Sequence, residues 1–239
     1  MTTTASPDLT NDLAPPHTPA AVSGAPRKLD LFGVHVSDVG PGQVVEHIMR
    51  WAIEGRPAIV NFMPVHGLIE ARRGNRREAM NRFDIVACDG QPVRWALNRF
   101  HNAGIDERVY GPTCMQEVCA QSARAGVGVY LYGSSSEVID TLSRVLPERF
   151  PGLAIVGAES PPYRALSAAE EADVIERVND SGAGVLFIGI GCPKQEEFAY
   201  KHRNQIQAVQ MCVGAAFDFH AGKLDMAPAW MQRRGLEWL

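Results

Sequence analysis

The feature that most constrains this chain is an alternation of short apolar runs with longer helical patterns. The apolar runs have the length of buried strands and lie at residues 58–62, 83–88, 128–132, 153–157, 184–190 and 208–213. The gaps between them are long enough for the crossover connections that parallel strands require. The sequence therefore predicts an α/β fold with a doubly wound, mostly parallel, Rossmann-like sheet and helices on both faces.

The predicted sheet belongs to one large domain at residues 27–239, preceded by a leader at residues 1–26. The leader is rich in Thr, Ala, Ser and Pro and has almost no large apolar side chains, so we expect it to be disordered. Residues 28–37 alternate apolar and polar positions, as a half-buried strand or hairpin does. The whole chain has 239 residues, 46% of them hydrophobic, and can bury a full core.

Charge and cysteine usage limit the classes of partner. The formal net charge of -4 argues against nucleic acid as the main partner, because phosphate backbones attract basic surfaces. The five cysteines are scattered and form no C-x-x-C pair, which is typical of reduced thiols in a cytoplasmic protein and disfavours a structural metal. No apolar run approaches the roughly 20 residues that span a bilayer, so any membrane contact is expected to be peripheral.

Asp89 is the first candidate for chemistry. It follows the apolar run at residues 83–88 and precedes Gly90 and Pro92, which end the extended segment before a helical pattern. A carboxylate at the carboxyl end of a strand lies where open α/β sheets bind ligands. An Asp before Gly is also a common turn former or helix cap, so the local pattern leaves both interpretations open.

Two further strand-to-helix turns have the composition of anion-binding loops. Gly133 and Ser134 follow one apolar run and precede a helical pattern, and helix N-termini favour anions, although Ser is equally a helix cap. Gly191, Lys194 and Gln195 follow another run, and the last two residues lie at a predicted helix mouth, able to meet a phosphate or a sugar hydroxyl. The third Gly of the dinucleotide fingerprint is missing here, which disfavours an NAD site.

Other charged residues leave alternatives open. Arg108 either pairs with a surface acid or points into the same cleft as Asp89, and Asp218 is the only acid in the small-residue stretch at 214–222. The basic run at residues 72–77 is either a solvated helical face and turn or a patch for an anionic partner, namely lipid headgroups or a phosphorylated substrate. Because parallel strands end at a common edge, one cleft can collect the candidates that follow these strands.

Seven stretches, taken in this order, resemble the TagA/WecG/CpsF family of glycosyltransferases. They are DGQPV at 89–93, RVYG at 108–111, FPGL at 150–153, SPPYR at 160–164, GIGCPKQE at 189–196, VGAAFDFHAG at 213–222 and AP-x-W-x-x-x-x-GLEWL at 227–239. The resemblance covers roughly residues 28–239, and the last three stretches together are highly specific.

The resemblance implies an inverting, metal-independent hexosyl- or N-acetylhexosaminyltransferase. Such an enzyme moves a sugar from a UDP-sugar onto a polyprenyl-diphosphate-linked saccharide of a bacterial surface polysaccharide or wall polymer, with no cofactor besides the donor. This sequence also has no D-x-D motif of the kind that holds a metal against a nucleotide diphosphate. Asp89 matches the proposed catalytic base, Arg108 and Gln195 match polar pocket positions, and Asp218 matches an acid expected to contact the donor.

Two departures from the family pattern bear on function. Many members have Thr-x-Asn-Pro after the second strand, whereas this chain has Asn61 and Met63; Asn61 can still hydrogen-bond, but Met63 cannot replace an amide, and His66 is the polar substitute. Members also continue beyond the position of Leu239 with a basic segment thought to close the site and touch the membrane. We expect the enzyme to work in the cytoplasm, peripherally at the inner face of the plasma membrane, mainly through such a segment.

Two other functional classes stay open from the sequence. A nucleotide-dependent oxidoreductase uses the same fold class and would bind NAD(P)H rather than UDP. A non-catalytic sugar-nucleotide-binding subunit of a polysaccharide assembly complex would bind UDP without transferring sugar. The sequence also leaves the donor sugar, the acceptor hydroxyl and the oligomeric state open, a homo-oligomer included.

Overall fold

The computed structural model describes residues 24–228 and residue 231. A hairpin and a six-stranded parallel sheet contain the strands of this part of the chain. The strands are β1 (Lys28–Leu31), β2 (Val34–Ser37), β3 (Ala58–Met63), β4 (Ile85–Cys88), β5 (Val129–Gly133), β6 (Ile155–Glu159), β7 (Val185–Gly189) and β8 (Val209–Cys212). The parallel sheet has the order β4-β3-β8-β7-β5-β6, and β1 pairs with β2 in an antiparallel hairpin beside it.

Helices cover both faces of the parallel sheet. They are α1 (Pro41–Ile53), α2 (Val65–Ala71), α3 (Arg76–Asn81), α4 (Gln91–His101), α5 (Gly111–Ala125), α6 (Ser136–Arg149), α7 (Ala168–Asp180), α8 (Lys194–Lys201) and α9 (Ala216–His220). One face packs against α1, α5, α6 and α9, and the other packs against the hairpin and the remaining helices. The predicted doubly wound α/β fold is therefore confirmed.

Strand residues alternate between the two hydrophobic cores, as the pleat of a strand requires. In β3, Val60 and Phe62 belong to the core under α1 and α5, whereas Ile59 and Met63 belong to the core under the hairpin. Both faces of the sheet are buried at β3, β4, β5, β7 and β8, which explains why these strands read as continuous apolar runs, whereas the edge strand β6 is partly exposed. Asn61 is the polar exception in β3, with 2% of its surface exposed.

Some element boundaries differ from the sequence prediction. β4 begins at Ile85 because the carboxylate of Asp84 accepts the N–H of Ile59 at 2.9 Å and pairs with Arg56 at 2.8 Å, which ends the preceding turn. α4 begins at Gln91, two residues before the predicted apolar pattern, and the short α9 was not predicted. Of the predicted disordered leader, residues 1–23 lie outside the described part of the chain.

Candidate active site

A cavity of about 890 Å³ lies at the carboxyl ends of β4, β3, β8 and β7. Open α/β sheets bind their ligands at this edge, and the volume is in the range of small-molecule sites. The strand ends form its floor, and residues of α2, α3, α4 and α8 form its walls. Six of the predicted site residues line it: Asn61, His66, Asp89, Arg108, Gly191 and Gln195.

Asp89 and Arg108 form the charged pair of this cavity. The Nη1 atom of Arg108 lies 3.9 Å from Oδ1 of Asp89 and donates to the main-chain carbonyl of Asp89 at 3.3 Å. The side chain of Arg108 is 10% exposed and that of Asp89 is 18% exposed, so both charges are largely shielded from water. The Arg108 guanidinium also lies 4.4 Å from the centre of the Tyr110 ring. Arg108 therefore points into the cleft of Asp89, which was one of the two predicted alternatives.

Backbone pairing brings the two residues together. The N–H of Val109 donates to the carbonyl of Cys88 at 2.9 Å, so the segment that carries Arg108 runs beside the end of β4. Arg94 holds the preceding loop, because its Nη1 donates to the carbonyls of Ile105 at 3.0 Å and Asp106 at 2.7 Å. The position of Arg108 thus depends on α4 as well as on its own loop.

Three buried side chains at the cavity have unsatisfied oxygen atoms. Asn61 Oδ1, Gln195 Oε1 and Glu196 Oε2 accept no hydrogen bond within the described part of the chain. Gln195 is oriented by Glu196, since its Nε2 donates to Oε1 of Glu196 at 3.1 Å. An unmade buried hydrogen bond costs on the order of 1–3 kcal/mol, so folding alone does not favour this arrangement. Acceptors of this kind at a cavity wall are available to a ligand or to water.

Glu196 has an unusual environment for a carboxyl group. Burial raises its pKa above the ordinary value of 4.5, and the hydrogen bond from Gln195 opposes this shift only in part. The neighbouring Cys192 thiol has a pKa raised to about 12, first by burial and then by the negative charge of Glu196. Cys192 is therefore a neutral thiol at physiological pH and is not a nucleophile for covalent catalysis.

An ion network ties three helices together at one wall. Arg76 of α3 pairs with Glu197 of α8 at 2.7 Å and with Glu70 of α2 at 3.2 Å, and all three residues line the cavity. Arg73 pairs with the same Glu70, and Arg82 pairs with Glu78. Two of the four arginines at residues 72–77, Arg73 and Arg76, are thus neutralised within the protein, whereas Arg72 and Arg77 form no salt bridge within the described residues.

Four predicted site residues do not line the cavity, which corrects the expectation of one shared cleft. Gly133 is buried against β7, where an added Cβ would lie 2.5 Å from the carbonyl carbon of Gly189. Ser134 donates to Asp218 at 3.1 Å, so these two residues meet at the end of β5. Lys194 is exposed, with its ammonium 5.9 Å from the centre of the Tyr163 ring.

Helix α9 separates the Ser134–Asp218 pair from the cavity. Phe217 packs on Gly189 between the ends of β5 and β7, and its neighbour Asp218 turns toward Ser134. Phe219, one residue further, lines the cavity. Consecutive residues of a helix point in directions about 100° apart, so one short helix serves both places.

The sequence of this chain is similar to those of known proteins. Residues 29–239 match the model of the Glycosyl transferase WecG/TagA/CpsF family. The chain belongs to this family. It is also 27% identical over 224 residues to the N-acetylglucosaminyldiphosphoundecaprenol N-acetyl-beta-D-mannosaminyltransferases of Staphylococcus aureus strains NCTC 8325, COL and MRSA252, covering 89% of this chain and 83% of each relative. The resemblance stated from the seven stretches is thereby confirmed.

The structure adds residues of this WecG/TagA/CpsF member that the sequence did not single out. In the sequence, Glu196 occurs within the stretch GIGCPKQE and Gln91 within DGQPV, and neither stands out there. In the structure, both are buried and line the cavity. Their position in the first turn of a helix that follows a strand is the signal that could have found them. Met63 is fully buried in the core and does not line the cavity, whereas His66 does.

Neither a metal-ion cluster nor a membrane-spanning helix is present among the described residues. Within residues 24–228, no group of three or more His, Cys, Asp or Glu side chains is arranged to hold a metal ion. None of the helices in the same part of the chain combines the length and the apolarity that crossing a bilayer requires.

Proposed function

We propose that this protein transfers a sugar from a UDP-sugar to a polyprenyl-diphosphate-linked saccharide, with inversion and without a metal. The observation that carries the proposal is the shielded Asp89–Arg108 pair in a cavity at the carboxyl edge of the sheet. The names of the Staphylococcus aureus relatives support it, because they describe N-acetylmannosaminyl transfer to a diphosphoundecaprenol-linked N-acetylglucosamine. An N-acetylhexosaminyl donor is accordingly the first choice, ahead of a hexosyl donor.

Asp89 is the general base in this proposal. Its carboxylate takes the proton of the acceptor hydroxyl as that oxygen attacks the anomeric carbon of the donor sugar. The new glycosidic bond forms as the bond between the anomeric carbon and the UDP oxygen breaks, and the electron pair leaves with UDP. Attack from the face opposite UDP inverts the anomeric configuration.

Negative charge develops on the leaving diphosphate and has to be stabilised by positive charge. Without a metal, the protein has to supply that positive charge. Arg108 is the largely buried cation of the cavity and is suited to this role. The main-chain N–H groups that follow Gly191 at the start of α8 add partial positive charge. Asn61, Gln195 and His66 line the same space and are assigned to binding the donor sugar or the acceptor.

The remaining predicted donor contacts lie beside the cavity rather than in it. Gly214, Ala215 and Phe219 line the cavity and flank Asp218 in sequence, so the Ser134–Asp218 pair lies just beyond its end. We assign the uridine end of the donor to that side and the sugar to the cavity. Lys194 keeps its predicted role as a weaker phosphate contact near the helix mouth.

A lipid-linked acceptor places the reaction at a membrane surface. The proposal therefore includes work in the cytoplasm, peripherally at the inner face of the plasma membrane, with a UDP-sugar as the only other substrate. No cofactor takes part in the proposed step. Self-association into a homo-oligomer stays a prediction.

The test is a donor screen on the purified chain. UDP-N-acetylmannosamine, UDP-N-acetylglucosamine and UDP-glucose are each supplied with a polyprenyl-diphosphate-linked N-acetylglucosamine acceptor, with and without EDTA. We expect UDP release and a disaccharide product whose new linkage has the opposite anomeric configuration to the donor, unaffected by EDTA. UDP binding without transfer from any donor would favour a non-catalytic subunit, and NAD(P)H binding without UDP binding would favour the oxidoreductase.

A further inference from the structure

An exposed surface beside the cavity mouth combines large apolar side chains with arginines. It consists of Phe32, Val65, Ile69, Trp95 and Phe100 together with Arg72, Arg77 and Arg99, and we call it the aromatic–basic face. Its five apolar members are half of the ten large apolar side chains that are exposed within residues 24–228. Scattered exposed apolar residues need no explanation, but a cluster of this kind marks an interaction site.

Measured contacts and helical spacing make this surface continuous. Val65, Ile69 and Arg72 follow one another on the same side of α2 and its end, at spacings of four and three residues. The Arg72 guanidinium lies 5.7 Å from the Phe32 ring, which meets the Phe100 ring edge-on at 6.3 Å. On α4, Trp95 lies one turn before Arg99.

The tip of the β1–β2 hairpin carries an unusual residue. Phe32 has φ of 57° and Gly33 has φ of 86°, so both residues of this two-residue turn are in the left-handed region. Asn or Gly is the ordinary residue at the first of these positions, and a bulky side chain there is strained. A strained Phe that is 56% exposed gains little from core packing. Phe32 therefore adds an exposed aromatic ring, in contact with Phe100 and Arg72, to the aromatic–basic face.

The charge of the face selects the partner. Arg72, Arg77 and Arg99 form no salt bridge within the described residues. Two acids lie close by, but Glu70 is bonded to Arg73 and Arg76, and Asp30 accepts the N–H of Gly33 inside the turn. Arginines at the rim with Trp and Phe between them match a surface of anionic headgroups over acyl chains.

The position of the face agrees with this partner. Val65 and Trp95 belong both to the face and to the lining of the cavity, so the cavity opens at the edge of the face. A second copy of the chain is a poorer occupant, because a two-fold contact would bring two patches of the same positive charge together.

We propose that the aromatic–basic face docks on an anionic phospholipid bilayer, with the cavity mouth at the lipid surface. This inference rests on the proposed function only for its purpose, which is to bring a lipid-linked acceptor to the cavity. Binding to vesicles is measurable without any turnover. Within the described residues, membrane contact is thus assigned to this face, and the contribution of the expected basic C-terminal segment stays a prediction.

The test is sedimentation of the 239-residue chain with vesicles of phosphatidylglycerol and phosphatidylcholine, compared with phosphatidylcholine alone. We expect binding only to the anionic vesicles, weakening as salt rises. Arg72→Glu should lower the partition coefficient at least fivefold, because each charge near such a surface contributes about fivefold. Arg124→Glu is the matched control, since Arg124 is also exposed and unpaired among the described residues but lies on α5 on the other side of the sheet. Its effect should stay within twofold.

Phe32→Asn separates docking from stability. Asn suits the left-handed turn position, so this variant should melt at a higher temperature than the original chain while binding anionic vesicles at least threefold more weakly. Neither Phe32 nor Arg72 lines the cavity, so turnover of a water-soluble acceptor with a short alkyl chain should stay within twofold in both variants.

The proposal is overturned by any of three results. The first is that the chain does not bind anionic vesicles at low salt. The second is that Arg72→Glu and Arg124→Glu weaken vesicle binding equally. The third is that the Phe32→Asn variant binds anionic vesicles as tightly as the original chain. The last result combined with dissociation of an oligomer in analytical ultracentrifugation would identify the face as a contact between copies. An inactive but vesicle-binding chain would count against the proposed function and leave the docking inference intact.

Discussion

The two halves of the carboxyl edge of the sheet differ in how their polar side chains are satisfied. Around the ends of β4, β3, β8 and β7, buried oxygen atoms of Asn61 and Gln195 lack donors, and the strand ends surround a cavity of about 890 Å³. At the end of β5, Ser134 donates to Asp218 at 3.1 Å and Ser160 donates to the carbonyl of Ser134 at 2.6 Å. The first half leaves buried acceptors at a cavity, whereas the polar groups of the second half are largely satisfied by the chain itself.

The largest effect that distinguishes the halves is expected at Arg108. Arg108→Gln removes the buried cation assigned to the leaving diphosphate, so kcat should fall about 10²- to 10³-fold. Arg108→Lys is the matched variant and should recover part of the rate, since it keeps the charge but not the fork of donors. Steady-state kinetics at saturating substrates measure both. A kcat within threefold of the original enzyme for Arg108→Gln would contradict the assignment.

A smaller effect is expected in the satisfied half. Asp218→Asn should raise KM for the UDP-sugar about tenfold and change kcat by less than threefold, because its assigned contact is to the uridine end, away from the reacting carbon. Ser134→Ala breaks the same hydrogen bond from the other side and is the control. If Asp218→Asn instead lowered kcat as much as Arg108→Gln, the two halves would not differ in the way described.

Helix α9 lies between the two halves, and the protonation of its His220 is expected to make the stability of the fold depend on pH. His220 of α9 donates to the carbonyl of Pro112 at 2.9 Å and accepts from Gln116, and burial lowers its pKa to about 4. The folded protein keeps this ring neutral while the unfolded chain protonates near pH 6.5, so stability is lost as pH falls between these values. The loss is about 3 kcal/mol.

His220→Gln keeps a donor and an acceptor but does not titrate. Urea unfolding at about pH 7 and about pH 4.5 should show a shallower decline for this variant than for the original chain. An equal decline in both proteins would show that His220 is not the group responsible.

The smallest expected effect is a change in melting temperature on substitution of Glu196, which lies in the half that contains the cavity. Burial raises the pKa of Glu196, so this carboxyl stabilises the fold when it is protonated and destabilises it as pH rises through the folded pKa. Glu196→Gln should therefore melt at a higher temperature than the original chain at pH 8, and the difference should shrink toward pH 4. A lower melting temperature of the variant at pH 8 would mean that the ionised carboxylate is favourably held.

Much of the fold could be predicted from the sequence because both faces of the sheet are buried. The central strands read as continuous apolar runs, so the presence of six strands and their mostly parallel direction follow from run length and spacing, whereas the order of the strands in the sheet does not. The boundaries of β4 and α4 could not be predicted, since they depend on contacts such as that of Asp84 with Ile59 on a neighbouring strand. The short α9 has only five residues and no periodic pattern of its own.

The site could be predicted in part for a similar reason. Asp89 directly follows β4 and Gln195 lies in the first turn of the helix after β7, and the common edge of parallel strands brings such residues together. Ser134 and Asp218 follow strands as well, yet they bond to each other, which depends on how α9 packs on Gly189. Glu196 shares its place in the first turn of α8 with Glu197, and burial, which the sequence does not show, separates the two.

The most direct test of the central claim is Asp89→Asn, assayed for turnover and UDP affinity on the same folded sample. The base assignment predicts a loss of at least about 10²-fold in kcat, with the melting temperature and the affinity for UDP close to those of the original enzyme. A mere helix-capping role predicts lower stability with little change in kcat. Turnover within threefold of the original enzyme would contradict the claim that this cavity holds the reacting groups.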